Sequence, residues 1–298
     1  MRIGNSIETT DENMRQSRSF WQDAFIRFKR RKIAVFGFFL LSFIVLVCIY
    51  GFIAIDFETQ VISQNVFNRL QPPSREHPLG TDSLGRDVLA RLIYASRYSL
   101  FIGFSSTIFS LLLGGAIGAV SAYFGGKIDN IAMRLMDILI AIPFTLLAIA
   151  IVAALGASLA NLIIAIALAS VPAYARVIRS SVLSVKGNEF IEAAVAVGSS
   201  HKRIIMTHII PNAMGPLIVQ ATMGVAFAIL SASALSYLGL GISPPTPEWG
   251  NMLAEGQTHI RHTPWLVLFP GIAIALTVLS LNLIGDGIQD AVDPKLKN

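Results

Sequence analysis

Forty-four consecutive residues, Ile204 to Pro247, contain no Asp, Glu, Lys or Arg, and a second such run of 38 extends from Ile138 to Ala175. Shorter ones cover Ile33 to Ile55 (23 residues), Tyr98 to Gly126 (29) and Thr263 to Gly285 (23). A membrane-crossing helix needs about 20 mostly apolar residues, and each of these runs supplies at least that many. Composition agrees, with 54% hydrophobic and 14% charged residues against about 25% charged in an ordinary soluble domain. These proportions argue against a soluble enzyme and against a disordered chain. The single cysteine, Cys48, excludes a disulfide scaffold.

As one helix the 38-residue run would be roughly 57 Å long at about 1.5 Å per residue, nearly twice a hydrocarbon core of about 30 Å. It must fold back, and Gly156-Ala157-Ser158 is where Gly and Ser interrupt the apolar pattern. The 44-residue run is broken by Pro211-Asn212 near its start and by Gly239, Gly241, Pro244 and Pro245 near its end. One crossing remains there, at about 213–240. The expectation is an all-α, polytopic membrane protein with six transmembrane helices at about 33–55, 99–124, 134–155, 159–179, 213–240 and 263–286.

Of the 23 Lys and Arg, 17 fall on the side that holds both termini, so the positive-inside bias places both termini in the cytoplasm. The other six are Arg69, Arg75, Arg86, Arg91, Arg97 and Arg261, with Asp82 and Asp87 close enough to offset some. Residues 1–32 then form a cytoplasmic tail, 33–55 a retained signal anchor without a cleavage pattern, 56–96 an outer loop, 97–287 the core and 288–298 a second tail. Trp21 to Phe28, beside the basic cluster Arg27, Lys29, Arg30, Arg31 and Lys32, is expected to lie along the inner interface. Thr81 to Arg97 sets Leu84, Val88, Leu89, Leu92 and Ile93 opposite Arg86, Asp87 and Arg91, predicting an interfacial helix on the outer face or a contact with a solute-binding protein. Gly114 and Gly118, four apart, predict close helix packing inside the subunit.

None of the uncharged runs carries an acid or base at mid-membrane depth, which disfavours a carboxylate-based secondary transporter. Arg134, Asp137, Arg176, Arg179 and Asp286 collect at the inner helix ends, where snorkelling and pairing suffice. A membrane aspartyl protease would need glycine where Leu283 stands, the serine-type pattern beginning at Gly156 fails at Leu159, and no HExxH occurs. His259 and His262 share a metal-ligand spacing but lack Cys or carboxylate support. Gly126-Lys127 is followed by Ile128, so no phosphate-binding loop forms and any nucleotide belongs to another chain. The net charge of +5 follows from insertion topology and does not imply a nucleic-acid partner.

The inner loop at about 180–212 reads as two short helices. Asn188 caps the first, Glu189 and Glu192 sit in its first turn, and Ala193, Ala194, Val195, Ala196 and Val197 lead to a break at Gly198. Acids suit a helix N-terminus, and Gly accepts the left-handed conformation of a C-cap. The second helix runs from Ser199 or Ser200 and is expected to end at Pro211.

This loop resembles the signature of ABC importer inner-membrane permeases: Glu192-Ala193-Ala194, three residues, Gly198, nine residues, then His208-Ile209-Ile210-Pro211, with only His208 departing from an aliphatic. Two further stretches resemble the C-type subunit of the dipeptide and oligopeptide branch. They are His77-Pro78-Leu79-Gly80-Thr81-Asp82-Ser83-Leu84-Gly85-Arg86-Asp87 and Pro244-Pro245-Thr246-Pro247-Glu248-Trp249-Gly250, with Gly285-Asp286-Gly287 and Asp293-Pro294-Lys295 near the end.

The resemblance implies the type I importer permease fold and a coupling site made of Glu189, Glu192, Ala193, Ala194, Gly198, Lys202, Arg203, His208 and Pro211. In that family the loop docks on a cytoplasmic ATPase. The implied partners are two ATPase subunits, a homologous second permease, an extracytoplasmic solute-binding protein and membrane lipid. ATP is used by the partner subunits and no cofactor is expected on this chain. Peptide would pass along faces rich in small residues such as Ser231, Ser233 and Ser236. Dipeptide, oligopeptide, glutathione and nickel cargoes all remain open.

Overall fold

The computed structural model describes residues 20–292. The polar tail expected at 1–19 and the Asp293-Pro294-Lys295 stretch lie outside the described residues, as do the side chains of 20–23. The described residues are helical with no named strand; the one backbone bridge pairs Thr81 with Asp87. In chain order the helices are α1 (Phe20–Arg30), α2 (Lys32–Ala54), α3 (Val88–Phe124), α4 (Gly126–Ala141), α5 (Phe144–Leu155), α6 (Leu159–Lys186), α7 (Glu189–Ala196), α8 (His201–Arg203), α9 (Ile210–Tyr237), α10 (Trp249–Gln257) and α11 (Trp265–Val292). Five spans are long and apolar enough to cross a membrane, and α4 with α5 makes a sixth if that bent pair is one crossing.

The bundle is built on α3 lying against α6. An ideal Cβ at Gly114 would stand 2.6 Å from the Val171 carbonyl oxygen, and one at Gly118 would stand 2.3 Å from that of Ala175. Only glycine lets the two backbones meet this closely, so the expectation of internal packing holds. By contrast α2 buries only Ala34, Gly37 and Gly51, which seat it on α11 and α3. Its exposed Phe36, Phe38, Phe39, Phe43 and Phe52 form a surface suited to lipid. Helix α1 packs on the end of α11, where Phe28 approaches Gly287 and Arg31 pairs with Asp290.

Three boundaries differ from the sequence reading. The crossing expected at 134–155 is broken by 90° between α4 and α5. Ile142 is extended there (φ −88°, ψ 126°) because the following Pro143 disfavours a helical conformation for the residue before it. The separate interfacial helix expected over 81–97 does not form. Asp87 accepts the Ala90 N–H at 2.8 Å as N-cap, and everything from Val88 onward is the first part of the 37-residue α3. The charged stripe that looked solvent-facing is instead paired inside the protein. Arg86 Nε lies 2.6 Å from Asp82 Oδ2, Arg91 bonds Asp82, and both arginines reach Glu255 of α10 at 2.7 to 3.2 Å.

Third, Pro211 does not end a helix. The chain runs through α8, a wide π-type turn (Ile204–Ile209) and α9 as one span from His201 to Tyr237. Proline has no N–H and its ring crowds the carbonyl four residues back. The widened turn, in which the Ile210 N–H bonds Ile205 O five residues back, accommodates both. The fold-back at 156–158 is as expected, with Gly156 at φ +89° and the Ser158 side chain capping α6.

Candidate functional site

Helix α6 projects to Lys186, and the chain then turns at Gly187 into the loop that carries the signature. Asn188 is the N-cap of α7 through its backbone conformation (ψ 145°), its side chain making no capping bond. Ile191 and Ala194 are the buried residues of α7. They join Val182, Val185, Ile204 and Ile209 in one apolar cluster, so α7 and the π turn share a single footing on the end of α6.

The break falls where the sequence placed it. Gly198 has φ +76°, its N–H bonds Val195 O at 2.9 Å, and the Ser199 N–H bonds Ala194 O at 3.1 Å. This paired closure of a helix end needs a left-handed residue at that position. Ser200 then caps α8 by accepting the Arg203 N–H. At the far end Asn212 Nδ2 donates to His208 O at 2.6 Å, tying the π turn to the start of α9.

What remains outward is a continuous surface. Glu189, Glu192, Ala193, Gly198, Lys202, Arg203 and Pro211 are exposed, His208 is half-buried and Ala194 is buried. Phe190, Val195, Val197 and Met206 stand out of the same segment, Val197 with 80% of its surface accessible. Glu189, Glu192, Lys202 and Arg203 form no ion pair among the described residues. Apolar groups ringed by free charges of both signs are the make-up of a protein-docking patch.

Sequence reasoning missed what braces this patch. The Tyr123 hydroxyl at the end of α3 lies 2.7 Å from His201 Nδ1, and Lys186 Nζ donates to Tyr123 O at 2.6 Å. No local pattern flags the pair, since its members are 78 residues apart. It missed as well the buried carboxylate of Glu248, which caps α10 and accepts the Ser99 hydroxyl at 2.9 Å.

The serines expected along a substrate path are mostly covered within this subunit. Ser233 and Ser236 are buried at 4% and 1% exposure. They are closed over by Gly250 and Gly241, whose ideal Cβ positions would fall 2.6 Å and 2.1 Å from atoms of these serines; Ser231 is half-buried. Glycine lets the 239–250 segment fold directly onto this side of α9, which periodicity on an all-apolar helix cannot reveal. An open cavity of about 360 Å³ lies elsewhere, between α3, α6, α9 and the bend joining α4 to α5. No cluster of three or more potential metal ligands occurs among the described residues.

Residues 111–298 match the family described as binding-protein-dependent transport system inner membrane component, and residues 19–73 match the N-terminal TM domain of oligopeptide transport permease C. The chain is 46% identical to the dipeptide transport system permease protein DppC of Alkalihalophilus pseudofirmus, over 93% of this chain and 91% of that one. It is 38% identical to the oligopeptide transport system permease protein OppC of Bacillus subtilis, over 95% and 92%. Identity to the glutathione transport system permease protein GsiD of Escherichia coli is 41%, over 95% and 93%. A chain of the MetNI methionine ABC transporter, in an inward-facing conformation, superposes with a TM-score of 0.56 over 68% of this chain and 96% of that one; at 19% identity this likeness bears on the fold alone. The chain therefore belongs to the binding-protein-dependent transport system inner membrane components, the multi-pass permease subunits of ABC importers.

Proposed function

We propose that this chain is one wall of an ATP-driven importer that moves di- and oligopeptides across the cytoplasmic membrane. A homologous permease would form the other wall. Two ATPase subunits bind below, and an extracytoplasmic binding protein delivers cargo above. The observation that carries the coupling role is the outward patch from Glu189 to Met206, exposed on a footing rigidly shared with α6 and α9. Closure of the ATPases would press on α7 and α8, and α6 and α9 would tilt with them. Glu189 and Glu192 offer acceptors for basic groups of the ATPase, and Lys202 and Arg203 offer donors for acidic ones.

Both termini are assigned to the cytoplasm. The arginines of the outer loop, which weigh against that orientation, are largely spoken for: Arg86 and Arg91 by Asp82 and Glu255, and Arg97 by Tyr94, Phe52 and the Gly51 carbonyl. Peptide is favoured as cargo by the names of the relatives DppC and OppC. Glutathione, itself a peptide, is the second reading because GsiD is nearly as similar.

The test is uptake by the reconstituted importer. Glu192→Lys and Gly198→Val are expected to abolish ATP-dependent peptide uptake while the chain still inserts with the same topology. Undiminished uptake in both variants would overturn the coupling role.

A further inference from the structure

The chain passes from α1 into α2 through Arg27, Lys29, Arg30, Arg31 and Lys32, so that five of six consecutive residues are basic. Like charges crowded into one bend repel, and a group of opposite sign is needed to offset them. Among the described residues Arg31 pairs with Asp290 of α11. Lys29, Arg30 and Lys32 are exposed and form no ion pair among those residues.

This elbow stands at the edge of the apolar surface. From the very next residue α2 turns large side chains outward, Ile33 at 66% exposure and Phe36 at 59%. On α1, Ala24 is buried and Phe28 packs on α11 at Gly287, whereas Phe25 and Lys29, one turn apart, are exposed. Lys29 Nζ lies 4.6 Å from the centre of the Phe25 ring. An aromatic ring beside an ammonium, next to a lipid-facing span, suits the headgroup layer of a membrane. Basic clusters immediately beside a span attract anionic headgroups, each charge strengthening association about fivefold. An acidic protein would answer the charges and leave Ile33 and Phe36 uncovered; an anionic lipid supplies a phosphate for the one and hydrocarbon for the other.

The contacts of the elbow connect it to the rest of the molecule. Gly287 seats both of its helices on α11, since an ideal Cβ there would stand 2.3 Å from Ala34 Cβ and 3.1 Å from Phe28 Cε2. Further along α11, Val292 Cγ1 fills the space beside Gly215 of α9, where a Cβ would be 2.5 Å away. Helix α9 in turn continues from the π turn that carries part of the exposed patch. We propose that the α1–α2 elbow binds anionic phospholipid headgroups through Lys29, Arg30 and Lys32, and that a bound lipid holds α1 on α11 and so braces α9 behind the patch. The effect on transport rests on the importer reading above; the binding itself does not.

Two measurements on the assembled importer test it, in vesicles of phosphatidylcholine with and without phosphatidylglycerol. In the first, Phe25→Trp places a fluorophore at the elbow, the signal of the parent chain being subtracted as background. Brominated phosphatidylglycerol is expected to quench it more than brominated phosphatidylcholine does. The preference should fade at high salt and disappear in the triple variant Lys29→Gln, Arg30→Gln, Lys32→Gln, while Lys29→Arg with Lys32→Arg keeps it. In the second, dialanine moved per ATP hydrolysed is expected to rise about fivefold when phosphatidylglycerol is present, the scale of one such charge, and to stay at the lower level in the triple variant. Equal quenching by the two brominated lipids, or a triple variant that transports less in both lipids alike, would overturn the assignment. Restoration of transport in pure phosphatidylcholine by inorganic phosphate would overturn it too, making the elbow a site for soluble anions. Absence of ATP-dependent dialanine uptake by the parent in either lipid would remove the peptide reading, and the quenching measurement would still decide the lipid site.

Discussion

The Tyr123 hydroxyl and His201 Nδ1 stand 2.7 Å apart, although one residue closes α3 and the other opens α8. Lys186, at the end of α6, donates to the carbonyls of Tyr123 and Ala122 at 2.6 and 3.3 Å. The ends of three helices thus meet at one point beside the exposed patch. Force applied to α8 reaches α3 directly, without passing through α7.

Replacing Tyr123 with Phe keeps the ring packed on Phe124 and His201 and removes one hydrogen bond. The expected loss of stability is about 1 kcal/mol, read from thermal unfolding in detergent. Peptide moved per ATP hydrolysed is expected to drop several-fold in an importer that still assembles. A double-mutant cycle with His201→Ala should return a coupling energy near 1 kcal/mol; a value below about 0.3 kcal/mol would mean the two groups act independently.

Gly118 is expected to tolerate nothing larger. A side chain there would collide with Ala175 O and lie 3.1 Å from Arg179 N, both backbone atoms. Gly118→Val should therefore push α3 off α6 and cost at least the roughly 1–3 kcal/mol typical of overpacking. Gly115→Ala is the contrast: its nearest neighbour is the Ile178 Cδ1 tip at 3.0 Å, which can swing aside, so its unfolding midpoint should stay close to wild type. Equal effects at the two positions would contradict the backbone-contact account.

The Gly114 and Gly118 pair was visible in the sequence because spacing along one helix is local information. So were the fold-back at Gly156, the caps at Asn188 and Gly198, and the split signature that located the patch. Each depends on residues within a few turns of one another. What stayed hidden depends on partners far along the chain. Arg91 looked solvated because Glu255, its partner, is 164 residues away. Ser233 looked available because Gly250, which closes over it, belongs to α10, beyond the loop that follows α9. Pro211 looked like a terminator because its ring alone argues for one, while the π turn that absorbs it is held by Ile204 and Ile209 in a core built from other helices.

Breaking the charge network of Asp82, Arg86, Arg91 and Glu255 should be costly. Asp82 is 4% exposed and faces Arg86 and Arg91, themselves at 5% and 2%. Asp82→Ala leaves two buried guanidinium groups to Glu255 alone, and removing one partner of a buried pair typically costs about 3–5 kcal/mol. The double variant Asp82→Ala with Arg91→Met removes charge from both sides and is expected to recover a good part of that loss. Thermal unfolding of the three proteins decides it; a double variant no more stable than Asp82→Ala would show that Arg91 serves as more than a counter-charge.

Asn212 offers a test of whether the π turn has to be held for the patch to work. Its Nδ2 donates to His208 O at 2.6 Å across the junction with α9. Asn212→Ala removes that donor, and Asn212→Asp replaces it with an acceptor facing the carbonyl, so the aspartate variant should be the worse of the two. A loss of about 1 kcal/mol for alanine corresponds to roughly fivefold faster amide exchange if local opening controls it. The increase should be confined to 204–210, while the buried middle of α9 around Val225 to Ile229 stays protected. Because α7 shares its footing with Ile204 and Ile209, peptide moved per ATP should fall in the same order, wild type above alanine above aspartate. Unchanged exchange in both variants would mean that burial of the two isoleucines alone sets the turn, and transport should then be unaffected as well.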